Sequence, residues 1–223
     1  MNYKQLNRNS AMSLQTLKRL PNYYNYLLGL QKNDVPYVSA PSIAQEIGLN
    51  EVQVRKDLAA VSSSPGKPRK GFEVAKLIES IAESLGYHNN EDAIIVGAGK
   101  LGKALLAYQG FEENGVHIVA AFDSDENTAG TSVGTKKIFA MEKLPSLCKR
   151  MNVHVAIIAV PAQQAQGVCD LLVENGIMAI WNFAPTHLRA PKNILIQNEN
   201  LATQLALLSR HLADKLALEE AQR

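Results

Sequence analysis

The sequence predicts an α/β protein: an N-terminal winged helix-turn-helix, a Rossmann-like doubly wound parallel sheet, and a closing helix. Three observations carry that expectation. Between Asp92 and Ile196, short β-branched runs alternate with stretches of helical period, the pattern of parallel strands joined by helical crossovers. Residues 39–60 hold two short helical periods around Gly48-Leu49-Asn50, the spacing of a helix-turn-helix. Leu201, Leu205, Leu208, Leu212 and Leu216 form one apolar stripe at helical steps. The reading divides the chain into a helix-turn-helix region at residues 1–85, a sheet region at 86–197 and a closing helix at 198–223.

In the front region, Leu17, Leu20, Tyr24, Leu27 and Leu28 share a stripe within a helix over roughly Ser13 to Gln31, which Pro21 should restart or kink. Tyr23, Tyr24 and Tyr26 are read as core, with base stacking as the alternative. Ser39-Ala40-Pro41 opens the next helix, with Ile43, Ala44 and Ile47 facing inward. Asn50 caps the following helix, with Gln53 at its third position as a capping-box variant. There Val54 and Leu58 point inward, which leaves Gln53, Arg55, Lys56 and Asp57 outward. Arg, Lys and Gln are side chains suited to reading or clamping DNA. Lys67-Pro68-Arg69-Lys70-Gly71 follows as a basic wing for phosphates or the minor groove. The expected DNA contacts are therefore Gln53, Arg55, Lys56, Lys67, Arg69 and Lys70; a solvated helix face is the plain alternative for Arg55 and Lys56. Val74, Leu77, Ile78, Ile81 and Leu85 make a further amphipathic helix.

Charge agrees with this division. The whole chain of 223 residues is only +2, but residues 1–90 carry eleven Lys and Arg against seven Asp and Glu, and the remainder twelve against fourteen. A polyanion would bind the front part. Hydrophobic residues at 46% and charged residues at 20% suit a chain with a real core. The longest apolar run, Val155 to Val160, is too short for a membrane span, and Met1 precedes a polar stretch without a signal-peptide core. A cytoplasmic protein with no membrane partner is expected. Cys148 and Cys169 fit neither a disulfide framework nor a zinc site, so no metal is expected.

The sheet region opens with the strand Asp92–Val96, then Gly97-Ala98-Gly99-Lys100-Leu101-Gly102 and a helix through about Gln109. A glycine pattern alone is weak evidence, but here a strand precedes it, a helix follows and an acid lies about twenty residues on. Gly97 permits the tight turn, Gly99 leaves room for a pyrophosphate, and Gly102 lets helix and strand pack closely. Asp123, at the end of the strand beginning at Val116, can accept bonds from the adenosine ribose. Asp125 and Glu126 would repel a 2′-phosphate, so NADH and NAD⁺ are favoured over their phosphorylated forms.

A short strand at Ile138-Phe139 precedes a helix near Glu142–Arg150. Val153–Val160 is read as an apolar strand, followed by a helix over Ala162–Asn175 that stops at Gly176. Ile177–Trp181 and Asn193–Ile196 complete the strands. Ligands in such sheets lie beyond the carboxyl ends of the strands. That places Ala159, Val160 and Pro161, with Asn182, Phe183 and Ala184, near the nicotinamide half. Their mostly apolar character favours the neutral reduced ring over the cationic oxidised one. For each segment a plain strand-to-helix connection is the alternative. No catalytic residue is expected.

Five segments in order resemble the Rex redox-sensing transcriptional repressors of bacteria: Lys18-Arg19-Leu20-Pro21-Asn22-Tyr23-Tyr24, Val54-Arg55-Lys56-Asp57-Leu58, the glycine loop, Ala121-Phe122-Asp123-Ser124-Asp125 and Asn182-Phe183-Ala184-Pro185. The resemblance implies a C-terminal helix swapped between the subunits of a homodimer. It further implies a repressor that holds double-stranded AT-rich palindromic operator DNA when NADH is low and releases it when NADH binds. The tail helix could cap its own domain or pack on a second subunit; a reader of a palindrome needs twofold symmetry, which favours the dimerising tail. The wing Gly66-Lys67-Pro68-Arg69-Lys70-Gly71-Phe72 departs from the family's usual pattern, as does Ala60-Val61-Ser62-Ser63. Of an Arg–Tyr–Asp set that links the domains in some members, Tyr108 matches, whereas Asn25 and Asn200 replace the ions. Two other functions compete: an NAD-dependent oxidoreductase with His187 as its proton carrier, and a sensor of coenzyme A.

Overall fold

The computed structural model describes residues 12–221; what the sequence suggests for residues 1–11 and 222–223 lies outside that range. The chain forms two compact units that meet in sequence between Asn89 and Asn90.

The first unit begins with α1 (Leu14–Lys32), capped by Ser13, whose Oγ accepts the Thr16 N–H at 3.1 Å. The helix runs through Pro21 instead of restarting. Proline deletes one rung of the ladder, and burial of Leu20, Tyr23 and Leu27 on either side holds the helix across it. β1 (Tyr37–Val38) pairs antiparallel with β2 (Phe72–Glu73). Between them lie α2 (Ala40–Glu46) and α3 (Glu51–Val61), capped by Ser39 and Asn50. Gly48 at φ +66° supplies the turn between them. α4 (Val74–Leu85) follows β2 and stops at Gly86 in the left-handed region. The core joins Leu20, Tyr23 and Leu27 to Ile43, Val54, Leu58, Leu77 and Ile81, with Tyr24 and Tyr26 packed at its edge. This is a helix-turn-helix closed by a small β-wing.

The second unit is a seven-stranded sheet. Its elements are β3 (Glu91–Val96), α5 (Lys100–Ala107), α6 (Gly110–Glu113), β4 (Val116–Asp123), β5 (Ser132–Val133) and β6 (Lys136–Ala140). A 3₁₀ turn and α7 (Leu144–Met151) lead to β7 (Val155–Ile158), α8 (Ala162–Glu174), β8 (Ala179–Asn182) and β9 (Leu195–Asn198). The spatial order is β5-β6-β4-β3-β7-β8-β9, parallel throughout except for β5 against β6. The direction of winding reverses between β3 and β7, and a ligand crevice belongs beyond the carboxyl ends of the strands at such a switch point. Apolar layers fill both faces, one around Phe122, Ile158 and Leu172, the other around Ile95, Leu106 and Ile157. In this unit α6 and the β5 hairpin edge are additional to the elements the sequence suggests. β7 is shorter than expected by two residues at each end; Val153 N–H still bonds back to the Cys148 carbonyl of α7, and Ala159 N–H makes the last bond to β3, at the Val96 carbonyl.

α9 (Leu201–Ala221) closes the chain. Asn200 caps it, its Oδ1 accepting the Thr203 N–H at 3.0 Å. Leu201, Leu205, Leu208, Leu212 and Leu216 are all exposed within the single chain.

Candidate functional site

Each unit carries a candidate site. In the second unit, β3 ends at Val96 and Gly97 turns the chain at φ +97°. A Cβ there would press on the Ala159 carbonyl. A Cβ on Gly102 would collide with the Gly97 carbonyl, so the first turn of α5 packs directly on the loop. At Gly99 a Cβ would meet nothing within 4 Å, because that position faces the cleft. Gly99 begins α5 without a side-chain cap, which leaves the first-turn N–H groups and the positive helix end open to an anion. Asp123 closes the other side: its Oδ2 accepts the Ala98 N–H at 2.6 Å and its Oδ1 the Asp125 N–H at 2.9 Å. Asp125 is held below the ordinary carboxylate range by hydrogen bonds from Thr128 and Asn127, which keeps that rim negative.

The resulting cleft, about 450 Å³, is lined by Val96, Gly97, Gly99, Asp123, Ser124, Met141, Ala159, Val160, Pro161, Gln164 and Val168. It brings together six residues that the sequence points to: Gly97, Gly99, Asp123, Ala159, Val160 and Pro161. Lys100 and Leu101 are exposed on the first turn of α5, and Ala98 and Gly102 are buried behind the loop. Met141, Gln164 and Val168 are not legible as site residues in the sequence; topology delivers them from the start of the 3₁₀ turn and from α8.

Asn182, Phe183 and Ala184 are not among the lining residues. The fully buried Asn182 amide donates to the Ala184, Thr186 and Asn198 oxygens, and its Oδ1 accepts the Ala184 N–H at 3.0 Å. It shapes the loop from behind. Phe183 packs against Trp181 with ring centroids 4.5 Å apart, and Trp181 in turn contacts Phe111, which contacts Tyr108. His187 is exposed, and its imidazole makes no hydrogen bond to a carboxylate among the described residues. Burial pushes the thiols of Cys148 and Cys169 up, so both stay protonated and inert. Among the described residues no group of His, Cys, Asp and Glu could hold a metal ion.

The cleft fits a dinucleotide. It offers an uncapped helix start that can take a phosphate, a carboxylate with acceptor capacity for a hydroxyl, and apolar walls.

In the first unit, the wing closes through reciprocal bonds: Lys67 N–H to the Gly71 carbonyl (2.7 Å) and Gly71 N–H to the Lys67 carbonyl (2.9 Å), with Arg69 at φ +64°. A second cleft, about 500 Å³, has Arg55, Lys67, Arg69 and Lys70 around Ser39, Pro41 and Phe72. Tyr37, which the sequence did not single out, organises this edge. Lys67 Nζ donates to its hydroxyl at 3.2 Å, and the Lys67 and Lys70 ammonium groups lie 5.3 and 5.6 Å from its ring centroid, within cation–π range.

Two sequence expectations on α3 need correction. Asp57 does not face outward: it is 1% exposed. Its carboxylate accepts Arg19 Nε (2.7 Å) and Nη2 (2.8 Å), Tyr23 Oη (2.7 Å), Thr16 Oγ1 (3.1 Å) and Gln53 Nε2 (3.0 Å). Burial alone would raise its pKa, but the donors of Arg19, Tyr23, Gln53 and Thr16 together outweigh that and hold it below the usual carboxylate range. The same carboxylate raises the Arg19 guanidinium, and burial with Asp57 raises the Tyr23 phenol. Gln53 accordingly turns its amide to Asp57 and does not reach back to complete a capping box. Arg55 and Lys56 are exposed as expected; Arg55 pairs with Glu51 at 2.6 Å.

A winged helix-turn-helix with a cationic edge and a Rossmann-type dinucleotide cleft in one chain define a nucleotide-responsive DNA-binding regulator. Comparisons with known proteins make the class specific. Residues 88–186 match a family model described as "CoA binding domain" and residues 11–59 one described as "Putative DNA-binding protein N-terminus". The redox-sensing transcriptional repressor Rex of Treponema denticola is 38% identical over 86% of this chain and 91% of its own length. Rex of Carboxydothermus hydrogenoformans is 38% identical over 87% and 93%. The crystal structure of RSP in complex with beta-NAD+ and operator DNA superposes with a TM-score of 0.86 at 30% identity, covering 95% of this chain and 97% of that one. RSP in complex with beta-NADH gives 0.82 at 29% identity, covering 95% and 99%. The chain belongs to the Rex family of redox-sensing transcriptional repressors.

Proposed function

We infer that the protein represses transcription by holding operator DNA when NADH is scarce and releasing it when NADH binds. The observation that carries the reading is the uncapped start of α5 above Gly99, facing Asp123, in a chain whose other unit is a winged helix-turn-helix with a cationic edge. NAD(H) supplies the redox information when bound. The chain's residues supply the grip: N–H groups from Lys100, Leu101 and Gly102 for the pyrophosphate, Asp123 for the ribose, and Ala159, Val160 and Pro161 as apolar walls. Asn182, Phe183 and Ala184 form the neighbouring loop. Arg55 and Lys56 on α3, with Lys67, Arg69 and Lys70 on the wing, hold an AT-rich palindromic duplex, and Gln53 braces Asp57 behind them.

The partner copy comes through α9. Its exposed leucine stripe leaves too much apolar surface for a solitary helix, and a helix swapped between two subunits covers it. The protein acts as a cytoplasmic regulator and not as an enzyme. The relatives it matches are transcriptional repressors, and among the described residues the exposed His187 makes no hydrogen bond to a carboxylate of the kind that orients a proton carrier; no helix of the described residues is long and apolar enough to cross a membrane.

A nearly complete swing between bound and released populations needs NADH to prefer the released form by about 10⁴-fold, or about 5.5 kcal/mol. Linkage makes the effect reciprocal. Saturating duplex DNA should therefore weaken NADH binding by the factor with which NADH weakens DNA binding, measurable by cofactor fluorescence; an NADH affinity identical with and without the duplex would break the coupled reading. The "CoA binding domain" match supports one second reading, a coenzyme A sensor. Competition between NADH and coenzyme A decides between them.

A further inference from the structure

The hydrogen-bonding side chains at the start of α3 are largely committed within the protein. Asn50 Oδ1 caps the Val52 N–H at 2.8 Å, Gln53 Nε2 is bound to Asp57 at 3.0 Å, and Arg55 holds Glu51 through Nε at 2.8 Å. Two exposed side chains of the first two turns are left uncommitted, Lys56 and Val52, four residues apart on one helix face with Arg55 beside them. Val52 is 59% exposed at the second position of the helix, and recognition helices meet base edges with their N-terminal residues.

A solitary exposed valine ordinarily needs no explanation. This one lies on the same face as two cations, which would hold it against a polyanion. It also lowers helix propensity relative to alanine, so helix stability does not account for it. An isopropyl group neither donates nor accepts hydrogen bonds. In the major groove the base-edge feature it can favour is the C5-methyl group of thymine.

We propose that Val52 reads a thymine methyl group and is a specificity-determining residue of the DNA face. The proposal rests on the DNA-binding reading above and adds to it the chemistry of the base selected.

The test crosses two proteins with two duplexes. Wild type and Val52→Ala are titrated with an AT-rich palindromic duplex and with the same duplex carrying uracil for every thymine, which removes only the methyl groups. Wild type should bind the uracil duplex about fourfold more weakly for each thymine methyl group that a Val52 side chain covers. Val52→Ala, whose shorter side chain covers less of the methyl group, should lose most of that difference between the duplexes, with unchanged NADH affinity and helix content. Equal binding of both duplexes by wild type, or a full methyl preference retained by Val52→Ala, overturns the assignment and leaves the DNA-binding reading standing. If wild type binds neither duplex, that reading falls and the assignment with it.

Discussion

Asp123 Oδ2 accepts the backbone N–H of Ala98 at 2.6 Å, so the end of β4 is tied directly to the glycine loop that follows β3. The other carboxylate oxygen takes the Asp125 N–H. An ionised carboxylate has about four acceptor positions, so capacity for a ribose hydroxyl remains after both bonds. One side chain thus shapes the loop and offers the ligand an acceptor.

Asp123→Ala should lose both roles. Hydrogen bonds to charged groups contribute about 1.5–3 kcal/mol each, which predicts a drop in NADH affinity of at least tenfold by calorimetric titration. DNA binding without cofactor should be unchanged. An Asp123→Ala protein that keeps wild-type NADH affinity would remove Asp123 from the site.

Lys56→Ala should do the reverse. One phosphate-neutralising cation less lowers the slope of log affinity against log salt by about one, with NADH affinity intact. Tyr37→Ala should weaken duplex binding, because Lys67 and Lys70 lose the ring that both approach, whereas Tyr37→Phe keeps the ring and most of the wild-type affinity.

The Asp57 carboxylate sets the acid limit of the first unit. Its pKa is lower folded than unfolded, so its stabilisation is present above the unfolded value, about 3.9, and is lost as pH falls through the folded value. Thermal melting should therefore decline below about pH 4. Removing one partner of a buried ion pair costs about 3–5 kcal/mol, the size expected for Asp57→Ala. Asp57→Asn should flatten the acid decline, and an unaltered decline in that variant would assign it to other carboxylates.

For α9, Leu208→Glu with Leu212→Glu should convert a dimer to a monomer in sedimentation equilibrium. A wild type that is monomeric at every concentration would contradict the proposed exchange of helices.

What the sequence revealed and what it hid follow from the range of the interactions involved. The glycine loop is legible because a strand, three glycines and an acid twenty-one residues beyond Gly102 satisfy rules that act along the chain. The helix caps at Ser39 and Asn50 are legible for the same reason. Asp57 misleads because charge and spacing point it outward, while its partners Thr16, Arg19 and Tyr23 lie 34 to 41 residues away on another helix. Met141 and Gln164 enter the cleft only once the strand order is known. The β5 edge escapes notice because two residues cannot show a period, and its turn depends on Gly134 at φ +58°.

The central claim is that cofactor occupancy in one unit governs DNA retention by the other. Titrating an AT-rich palindromic duplex at fixed salt, without cofactor, with NAD⁺ and with NADH, tests it directly. Tight retention without cofactor or with NAD⁺ and clear weakening with NADH is the predicted result; identical retention in all three would contradict the account.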